Sequence, residues 1–362
     1  MRENRIVTIA GAGIWGCTVA RVLADAGFAV RVLEKRGAVG GNVRCETDAK
    51  TGIEVHLYGS HIFHTDSDEV WSFVRRFTAF NGYQHKVLAR HGGKMYFLPV
   101  GLALLNRFFG VDLVPGEVEA FMRDEAHARA VFDAFFRNYT SKQWGRAPEE
   151  IDPSIIKRVP ARASWDINYF RDWRQGIPLD GYNALFAKML DHPAISVETD
   201  HAWTLAEKAP GETVFYSGPI DALFGYRFGA LPWRSLRFDV SRRAVKDAQG
   251  TSVVNYVDAD VPFTRIHEYK HYHPERTAVM ETGETILCTE YPKAWEPGDE
   301  PYYPVASPDS AALYARYAAE AAKTPDLVVG GRLGGFRYLD MDKSIADALA
   351  CARRWLNHKE VR

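Results

Sequence analysis

Residues 5–16 read RIVTIAGAGIWG, and this stretch decides the fold of the chain. The β-branched run RIVTIA has the length of a strand, and CTVARVLADAGF after the glycines carries apolar residues at helical spacing. A second strand, AVRVLE, ends at Glu34. Glycines spaced Gly-x-Gly-x-x-Gly at a strand-to-helix turn bring a pyrophosphate against the helix N-terminus. This order of strand, glycine-rich turn, helix and strand predicts a dinucleotide-binding domain. The alternative is a glycine-rich turn that only packs a helix on a strand.

Each position of this turn has its own predicted task. Gly11 permits the tight turn, Gly13 lets the pyrophosphate approach the backbone, and Gly16 lets the helix lie close on the strand. Glu34 follows at the end of the second strand, where a carboxylate can accept hydrogen bonds from ribose hydroxyls. Further residues of this unit predicted to bind the cofactor are Ile14, Trp15, Lys35, Gly41 and Asn42.

The cofactor is predicted to be FAD. Residues 34–42, EKRGAVGGN, resemble the extended fingerprint of the FAD-binding glutathione-reductase-type class, in which two glycines let the chain cross close to the cofactor. A late segment supports this prediction: LVVGGR at 327–332 is a strand that runs into Arg332, and a helix N-terminus near Met341 can face the flavin or its phosphate. The alternative for this segment is an ordinary closing strand–helix unit.

Composition limits the kind of partner. The chain has 362 residues with a net charge of −1, which predicts about two domains and excludes a broad surface for nucleic acid or an acidic membrane. Its four cysteines show no CxxC spacing, so we predict no disulfide scaffold and no metal site. No apolar run is long enough to span a membrane, and a cytoplasmic protein is expected. Aromatic residues make up 13% of the chain, and their positions matter for the interpretation of the site.

The predicted fold is α/β, with a Rossmann-like FAD-binding domain that carries an inserted helical domain and an inserted antiparallel β-sheet domain. Residues 1–80, 183–230 and 308–362 are assigned to the FAD-binding domain, 81–145 to the helical insertion, and 146–182 with 231–307 to the sheet domain. Helical spacing over 66–80 and roughly 101–139, and short β-branched runs such as SVVNYV and TILCTEY, underlie this division.

Arginines in the predicted sheet segments lie beside apolar residues, and aromatic residues interleave with them. Arginines that converge in a cleft can clamp a diphosphate bidentately, and a ring beside a diphosphate suits a stacked nucleobase or a sugar face. For any one arginine a surface salt bridge is the alternative, and for any one ring it is core packing. His61 and His64 in YGSHIFHT are either a ligand pair or a hydrogen-bonded structural pair.

The chain resembles the bacterial UDP-galactopyranose mutases over nearly its whole length. The segments that carry the resemblance include YGSHIFHT (58–65), NYTSKQWG (138–145), GDEPYYPV (298–305) and GGRLGGFRYLDMD (330–342). The resemblance implies an isomerase that interconverts UDP-galactopyranose and UDP-galactofuranose by ring contraction with no net redox change. It further implies that N5 of reduced FAD is the covalent nucleophile at the anomeric carbon, and that galactofuranose serves cell-surface polysaccharide biosynthesis.

The resemblance also assigns roles to single positions. Arg158 and Arg265 match the arginines that hold the diphosphate, with Arg158 on a mobile loop, and His61 matches the histidine beside the isoalloxazine; these three are the predicted catalytic residues. Asp340 matches a carboxylate near the flavin. The predicted substrate-binding residues are Tyr139, Trp144, Tyr169, Arg234, Tyr303, Tyr338 and His64. The implied partners are a UDP-sugar, an unidentified flavin reductant and a second copy of the chain. The helical insertion is implied to make both the dimer contact and the contact with uridine.

Three other functions remain open at this point. Related mutases act on N-acetylated, deoxy or other nucleotide sugars with similar motifs. A flavin oxidoreductase of the amine-oxidase type would share the cofactor domain, although an amine substrate has no use for converging arginines. A non-enzymatic binding protein of the GDP-dissociation-inhibitor kind would share the architecture without the flavin.

Overall fold

The computed structural model describes residues 6–147 and 161–360. The strands are β1 (Val7–Ala10), β2 (Val30–Leu33), β3 (Cys45–Thr47), β4 (Glu54–His56), β5 (Phe63–Thr65), β6 (Val87–His91), β7 (Lys94–Leu98), β8 (Arg174–Gly176), β9 (Ile195–Glu198), β10 (Thr213–Tyr216), β11 (Trp233–Arg243), β12 (Val253–Tyr256), β13 (Arg265–Glu268), β14 (Thr285–Ala294), β15 (Tyr303–Pro304) and β16 (Leu327–Val329). The helices are α1 (Ile14–Asp25), α2 (Asp68–Val74), α3 (Leu102–Phe109), α4 (Val118–Arg123), α5 (Glu125–Phe132), α6 (Asn138–Trp144), α7 (Tyr182–Leu190), α8 (Ile220–Leu223), α9 (Thr277–Met280), α10 (Pro308–Ala321), α11 (Gly331–Gly334) and α12 (Met341–Glu360).

A parallel five-stranded sheet forms the cofactor domain, with the order β16-β10-β1-β2-β9. Every residue of β1 and of β10 is buried, as expected for strands of a parallel sheet that is covered on both faces. Helix α1 packs between this sheet, α12 and α7. The predicted β-α-β unit is confirmed, as is the return of strands near 195 and 213 to the cofactor domain.

A second, seven-stranded sheet has the order β15-β11-β14-β13-β12-β6-β7. Its neighbours are antiparallel except β12 and β6, which run parallel. Strands β6 and β7 come from residues 87–98, which the sequence analysis assigned to the helical insertion. The two-residue turn Gly92-Gly93 explains the difference, since both glycines have positive φ and close a tight hairpin that also adds to the sheet.

The helical insertion consists of short pieces. The helix expected over 101–139 is divided into α3, α4, α5 and a π-helical segment (Asp133–Arg137) that leads into α6. Gly110 ends α3 in the left-handed region at φ +69°. The helix expected over 66–80 is limited to α2, which begins after the N-cap Ser67.

One hydrophobic cluster joins the two sheets. It contains Ile9 of the parallel sheet, Cys288 of the seven-stranded sheet and Phe135 of the helical insertion. The two insertions are therefore packed onto the cofactor domain rather than tethered to it. Among the described helices, none is both long and apolar enough to cross a membrane.

Candidate active site

A cavity of about 460 Å³ lies at the carboxyl ends of β1, β2 and β10. This is the place where parallel α/β sheets bind ligands. The predicted cofactor residues in its lining are Gly11, Gly13, Ile14, Trp15, Glu34, Lys35, Gly41, Asn42, Arg332 and Met341. His61 lines the same cavity, whereas Gly16 and Asp340 lie outside the lining.

The glycines of the first turn are needed for different steric reasons. Gly11 has φ +109°, and a Cβ there would lie 2.3 Å from the Ser217 hydroxyl. A Cβ on Gly16 would lie 1.9 Å from the Gly11 carbonyl oxygen, so the helix can approach the strand only without a side chain. At Gly13 the nearest atom to a Cβ would be Gly41 Cα at 3.9 Å, which leaves the space free for a ligand.

The N-terminus of α1 has neither a capping side chain nor a negative charge of its own. No side chain caps it at Gly13, and its first turn carries no acidic residue, so its amides and dipole are available to an anion. The carboxylate of Glu34 is buried at the end of β2 and accepts from the Ala12 amide at 2.8 Å and from the Arg36 amide at 3.0 Å. These bonds fix the carboxylate orientation and leave further lone pairs for ribose hydroxyls.

Arg36 is a cavity residue that the sequence analysis did not select. Its guanidinium lies 4.3 Å from the ring centre of Tyr58, and its Nη2 contacts Asn42 Oδ1 and the Glu300 carboxylate, each at 2.8 Å. Its Nη1 is buried without a hydrogen-bond partner among the described residues. An unpaired donor in the wall requires an acceptor, and a cofactor phosphate or ribose oxygen supplies one. Together with the glycine cradle and the open helix terminus, these residues fit FAD.

His61 presents a neutral ring to the cavity. Its Nδ1 lies 2.7 Å from the Gly59 carbonyl oxygen, which can only accept, so Nδ1 carries the proton. Burial, with a further contribution from the Arg332 charge, lowers the pKa of His61 to about 4. At neutral pH, Nε2 is therefore an unprotonated acceptor.

A series of rings leads from the cavity to the second sheet. The Arg332 guanidinium lies 5.1 Å from the ring centre of Tyr338, and the Tyr338 and Tyr303 ring centres are 5.8 Å apart. Arg265 interacts electrostatically with Tyr303, Tyr338 and Tyr139, and its guanidinium is 5.9 Å from the Tyr139 ring centre. The structure thus brings Arg265 and these predicted tyrosines together next to the cofactor cavity.

Arg265 is held by a buried carboxylate. Its Nε lies 3.2 Å from Glu290 Oε1, and the Glu290 side chain is only 4% exposed. Burial opposes the charge of Glu290, but Arg265 and His267 hold the pKa of Glu290 below its usual range. Burial likewise opposes the charge of Arg265, and the Glu290 carboxylate more than offsets it and raises the pKa of Arg265. Both groups are ionised at neutral pH, and sequence patterns gave no sign of Glu290.

Tyr169 and Trp144 lie at the same cluster. The hydroxyl of Tyr169 interacts electrostatically with Arg265, and the Trp144 and Tyr303 ring centres are 6.4 Å apart. Arg158, predicted to be the second diphosphate arginine, lies outside the described residues.

Other predicted site residues have structural partners in this state. The Arg234 guanidinium donates to the carbonyls of Gln143 and Lys142 at the end of α6 and does not line the cavity. His64 bonds Asp172 at 2.7 Å and stacks on Phe170, with ring centres 3.7 Å apart. Asp340 interacts electrostatically with the hydroxyl of Tyr338, which connects Asp340 to the cluster.

Lys142 fixes the helix that carries Tyr139. Its ammonium group lies 2.7–3.1 Å from four carbonyl oxygens, which share its three N–H donors. These belong to residues 256–263, the connection between β12 and β13. Burial lowers the pKa of Lys142 to about 8. The lysine is therefore an anchor between α6 and the strand that carries Arg265.

Lys142→Met is expected to destabilise the protein because four carbonyls lose a charged donor. The free energy of unfolding should fall by roughly 3 kcal/mol, measured by urea denaturation. Lys359→Met is the control, because Lys359 lies on the surface near the C-terminus and pairs only weakly with Asp326, at 3.5 Å. Equal stability of the two variants would contradict the anchoring role.

A family model named UDP-galactopyranose mutase matches residues 134–338, and one named NAD(P)-binding Rossmann-like domain matches residues 9–77. A probable UDP-galactopyranose mutase of Klebsiella pneumoniae is 37% identical, covering 98% of this chain and 96% of its own. The chain belongs to the UDP-galactopyranose mutase family. Like the family, it is an FAD-dependent isomerase.

Two further matches show how wide this mutase family is. A dTDP-fucopyranose mutase of Escherichia coli is 36% identical over 98% of this chain and 99% of its own. A solved structure of reduced UDP-galactopyranose mutase has a TM-score of 0.71 at 15% identity, covering 98% of this chain and 96% of that one, and supports the fold alone. The expected Rossmann-like α/β fold with inserted segments is confirmed.

Among the described residues of this mutase, the side chains of Cys45, Glu54 and His56 form a fully buried group with ligand-type atoms within 4.8 Å of one another. The Nδ1 of His56 accepts from the His61 amide at 3.1 Å, so in the neutral ring Nε2 carries the proton. A protonated Nε2 cannot ligate a metal ion. Burial also raises the pKa of the Cys45 thiol. These features argue against a metal ion at this group. Burial opposes the charge of Glu54, but the neighbouring His273 and Arg276 lower its pKa to about 2, so this carboxylate is ionised.

Buried neutral histidines should make this mutase sensitive to acid. Burial is the main cause that lowers the pKa of His61 to about 4 and of His56 and His85 to about 3. Between these values and the unfolded value of about 6.5, only the unfolded chain takes up the protons. The free energy of unfolding should therefore fall as pH is lowered from about 6.5 to about 5, where carboxylates contribute little. Urea midpoints measure this, and His85→Gln should flatten the slope; an unchanged slope would contradict the assignment.

Proposed function

We propose that this enzyme interconverts UDP-galactopyranose and UDP-galactofuranose. The observation that carries the proposal is the position of Arg265. It is an ionised arginine, held by buried Glu290 and ringed by tyrosines, directly beside the cavity that fits FAD. A cationic group surrounded by hydroxyls next to a flavin can bind the diphosphate of a nucleotide sugar. An uncharged substrate would leave this cation without an anionic partner.

Arg265 is proposed to bind the diphosphate as a planar, permanently charged fork. Burial raises the pKa of Tyr338 to about 12 and raises that of Tyr303, so both hydroxyls stay protonated and can donate to phosphate or sugar oxygens. Tyr139 offers its face to the uracil ring. Arg158 is proposed as the second diphosphate ligand by resemblance.

FAD, when bound and reduced, supplies the nucleophilic N5 for the anomeric carbon. The residues of the chain orient and enclose the reactants. His61 keeps an unprotonated Nε2 on the cavity wall and can accept a proton or hydrogen bond there. Tyr303 and Trp144 lie next to each other at this cluster, where their rings can cover one side of the sugar. Arg265 holds the UDP leaving group close enough to return after ring contraction.

We further propose that the enzyme acts in the cytoplasm as a homodimer, with a separate flavin reductant, and that its product serves cell-surface polysaccharide. We also propose that the chain consists of one cofactor domain with two insertions, and that the active site lies where these three parts meet. These proposals rest on the family resemblance and on the near-neutral net charge.

The direct test is turnover by the purified holoenzyme. Dithionite-reduced enzyme is incubated with UDP-galactofuranose, and products are separated by chromatography. UDP-galactopyranose should accumulate without consumption of oxygen or NAD(P)H. Absence of this product from a preparation with bound, fully reduced FAD would contradict the proposed function, and turnover that scales with oxygen use would favour an oxidoreductase.

A mutase acting on a related nucleotide sugar is the second candidate. It is favoured by the Escherichia coli dTDP-fucopyranose mutase, which matches the chain almost as well as the Klebsiella pneumoniae relative. The same assay with a panel of UDP- and dTDP-sugars decides between them, because kcat/KM should be highest for UDP-galactofuranose.

A further inference from the structure

A chain of polar contacts connects the loop of His61 to Arg265. The Ser60 hydroxyl lies 2.7 Å from His267 Nδ1, and His267 Nε2 lies 3.3 Å from Glu290 Oε2. The other carboxylate oxygen of Glu290 contacts Arg265. His267 is thus the one residue of this chain of contacts that touches both the cofactor side and the substrate side.

The direction of each hydrogen bond follows from chemistry. The ionised Glu290 carboxylate can only accept, so His267 Nε2 carries the proton. The ring of His267 is neutral because burial lowers its pKa, and its Nδ1 therefore accepts from the Ser60 hydroxyl. The Ser60 oxygen in turn accepts from the Tyr272 hydroxyl at 2.7 Å. The Tyr272 hydroxyl also lies 3.4 Å from His267 Nδ1. Hydroxyls therefore face Nδ1 and a carboxylate faces Nε2, which favours one orientation of the imidazole.

The side chains that make this connection are buried, so they have little freedom to move. The side chain of His267 is 1% exposed and that of Glu290 is 4% exposed. Arg265 and His267 are two residues apart on β13, so their side chains leave the same face of the strand. Loss of either bond to His267 would leave a polar group buried without a partner, which costs more than the bond itself contributes.

We propose that His267 is a positioning residue that aligns Arg265, through Glu290, for the substrate diphosphate and holds the Ser60–His61 loop against the flavin. The inference rests on the proposed function, because it takes Arg265 to be the diphosphate ligand. It assigns the two ring nitrogens separate tasks: Nε2 serves the substrate side and Nδ1 the cofactor side.

Two near-isosteric substitutions separate these tasks. His267→Asn retains an acceptor near the Nδ1 position and loses the donor to Glu290. His267→Gln retains a donor near the Nε2 position and loses the acceptor for Ser60. Both variants are purified with FAD, and each is measured for UDP affinity by titration calorimetry and for the flavin reduction potential.

Each variant is expected to change one of the two measured quantities and to leave the other nearly unchanged, a result called the crossed pattern below. His267→Asn should weaken UDP binding about fivefold or more with little change in flavin potential. His267→Gln should bind UDP within about twofold of the parent and show a shifted potential. Ser60→Ala should reproduce the behaviour of His267→Gln. In turnover, His267→Asn should raise KM more than it lowers kcat.

Two results would overturn the proposal. One is a UDP affinity for His267→Asn equal to that of the parent at equal FAD content and melting temperature. The other is an equal loss in both variants together with a lowered melting temperature, which indicates packing alone. Turnover of UDP-galactofuranose by the parent enzyme is measured in the same preparations. A crossed pattern without turnover would support the positioning role and count against the proposed function only.

Discussion

Arg265→Ala is expected to remove nearly all turnover while FAD stays bound. The guanidinium interacts electrostatically with Tyr139, Tyr169 and Tyr303. A charge-assisted contact to phosphate contributes about 2–4 kcal/mol, or roughly thirty- to several-hundred-fold in kcat/KM. Steady-state kinetics with UDP-galactofuranose and the flavin content of the purified variant measure both parts of the expectation.

The substitution also leaves Glu290 buried without its cation, which should lower the melting temperature. The double variant Arg265→Ala/Glu290→Gln removes both charges, and it should recover stability without recovering activity. Arg265→Lys keeps the charge but loses the planar fork, so it should recover activity only in part. Near-normal turnover by Arg265→Ala would show that the diphosphate is bound elsewhere.

Gly16→Ala is expected to yield protein without FAD and with a markedly lowered melting temperature. Its Cβ would lie 1.9 Å from the Gly11 carbonyl oxygen, which is backbone and cannot swing away. Helix α1 must then move off β1, at a cost of roughly 3 kcal/mol or more. Flavin absorbance per polypeptide and thermal unfolding followed by circular dichroism measure the two effects.

Two other glycines make matched comparisons. Gly13→Ala has room in the protein, so it should fold normally and lose FAD affinity by about tenfold or more, because its methyl group occupies the approach of the pyrophosphate. Gly116→Ala lies in an exposed turn with nothing near its Cβ and should change stability by less than about 0.5 kcal/mol. A Gly16→Ala protein with full FAD content would be inconsistent with this account.

The cofactor half of the site was accessible to sequence reasoning because its signals are local. The glycine turn and Glu34 belong to one β-α-β unit and Asn42 follows it closely, so their spacing alone predicts contacts with the pyrophosphate and the ribose. Arg332 and Met341 were predicted because a strand and a helix start also leave a local pattern, and both line the cavity.

The substrate half depends on contacts between distant segments. Glu290 pairs with Arg265 across β13 and β14, and Ser60 reaches His267 from a different part of the chain. No spacing rule connects such residues, and the family resemblance supplied Arg265 without supplying its partners. Arg234 shows the converse, since its partners are the carbonyls at the end of α6, and no sequence pattern distinguishes that use of an arginine from a ligand clamp.

The order of strands in the parallel sheet has a consequence for biosynthesis. Strand β1 lies between β2 and β10, and β10 is followed outward by β16, which ends at Val329. During translation β1 and β2 therefore emerge long before β10, and pairing of β1 with β10 must close a loop of more than half the chain. The cofactor site is complete only when α12 has left the ribosome. FAD loading is accordingly expected to be a late event, so that chains truncated before α12 remain free of flavin.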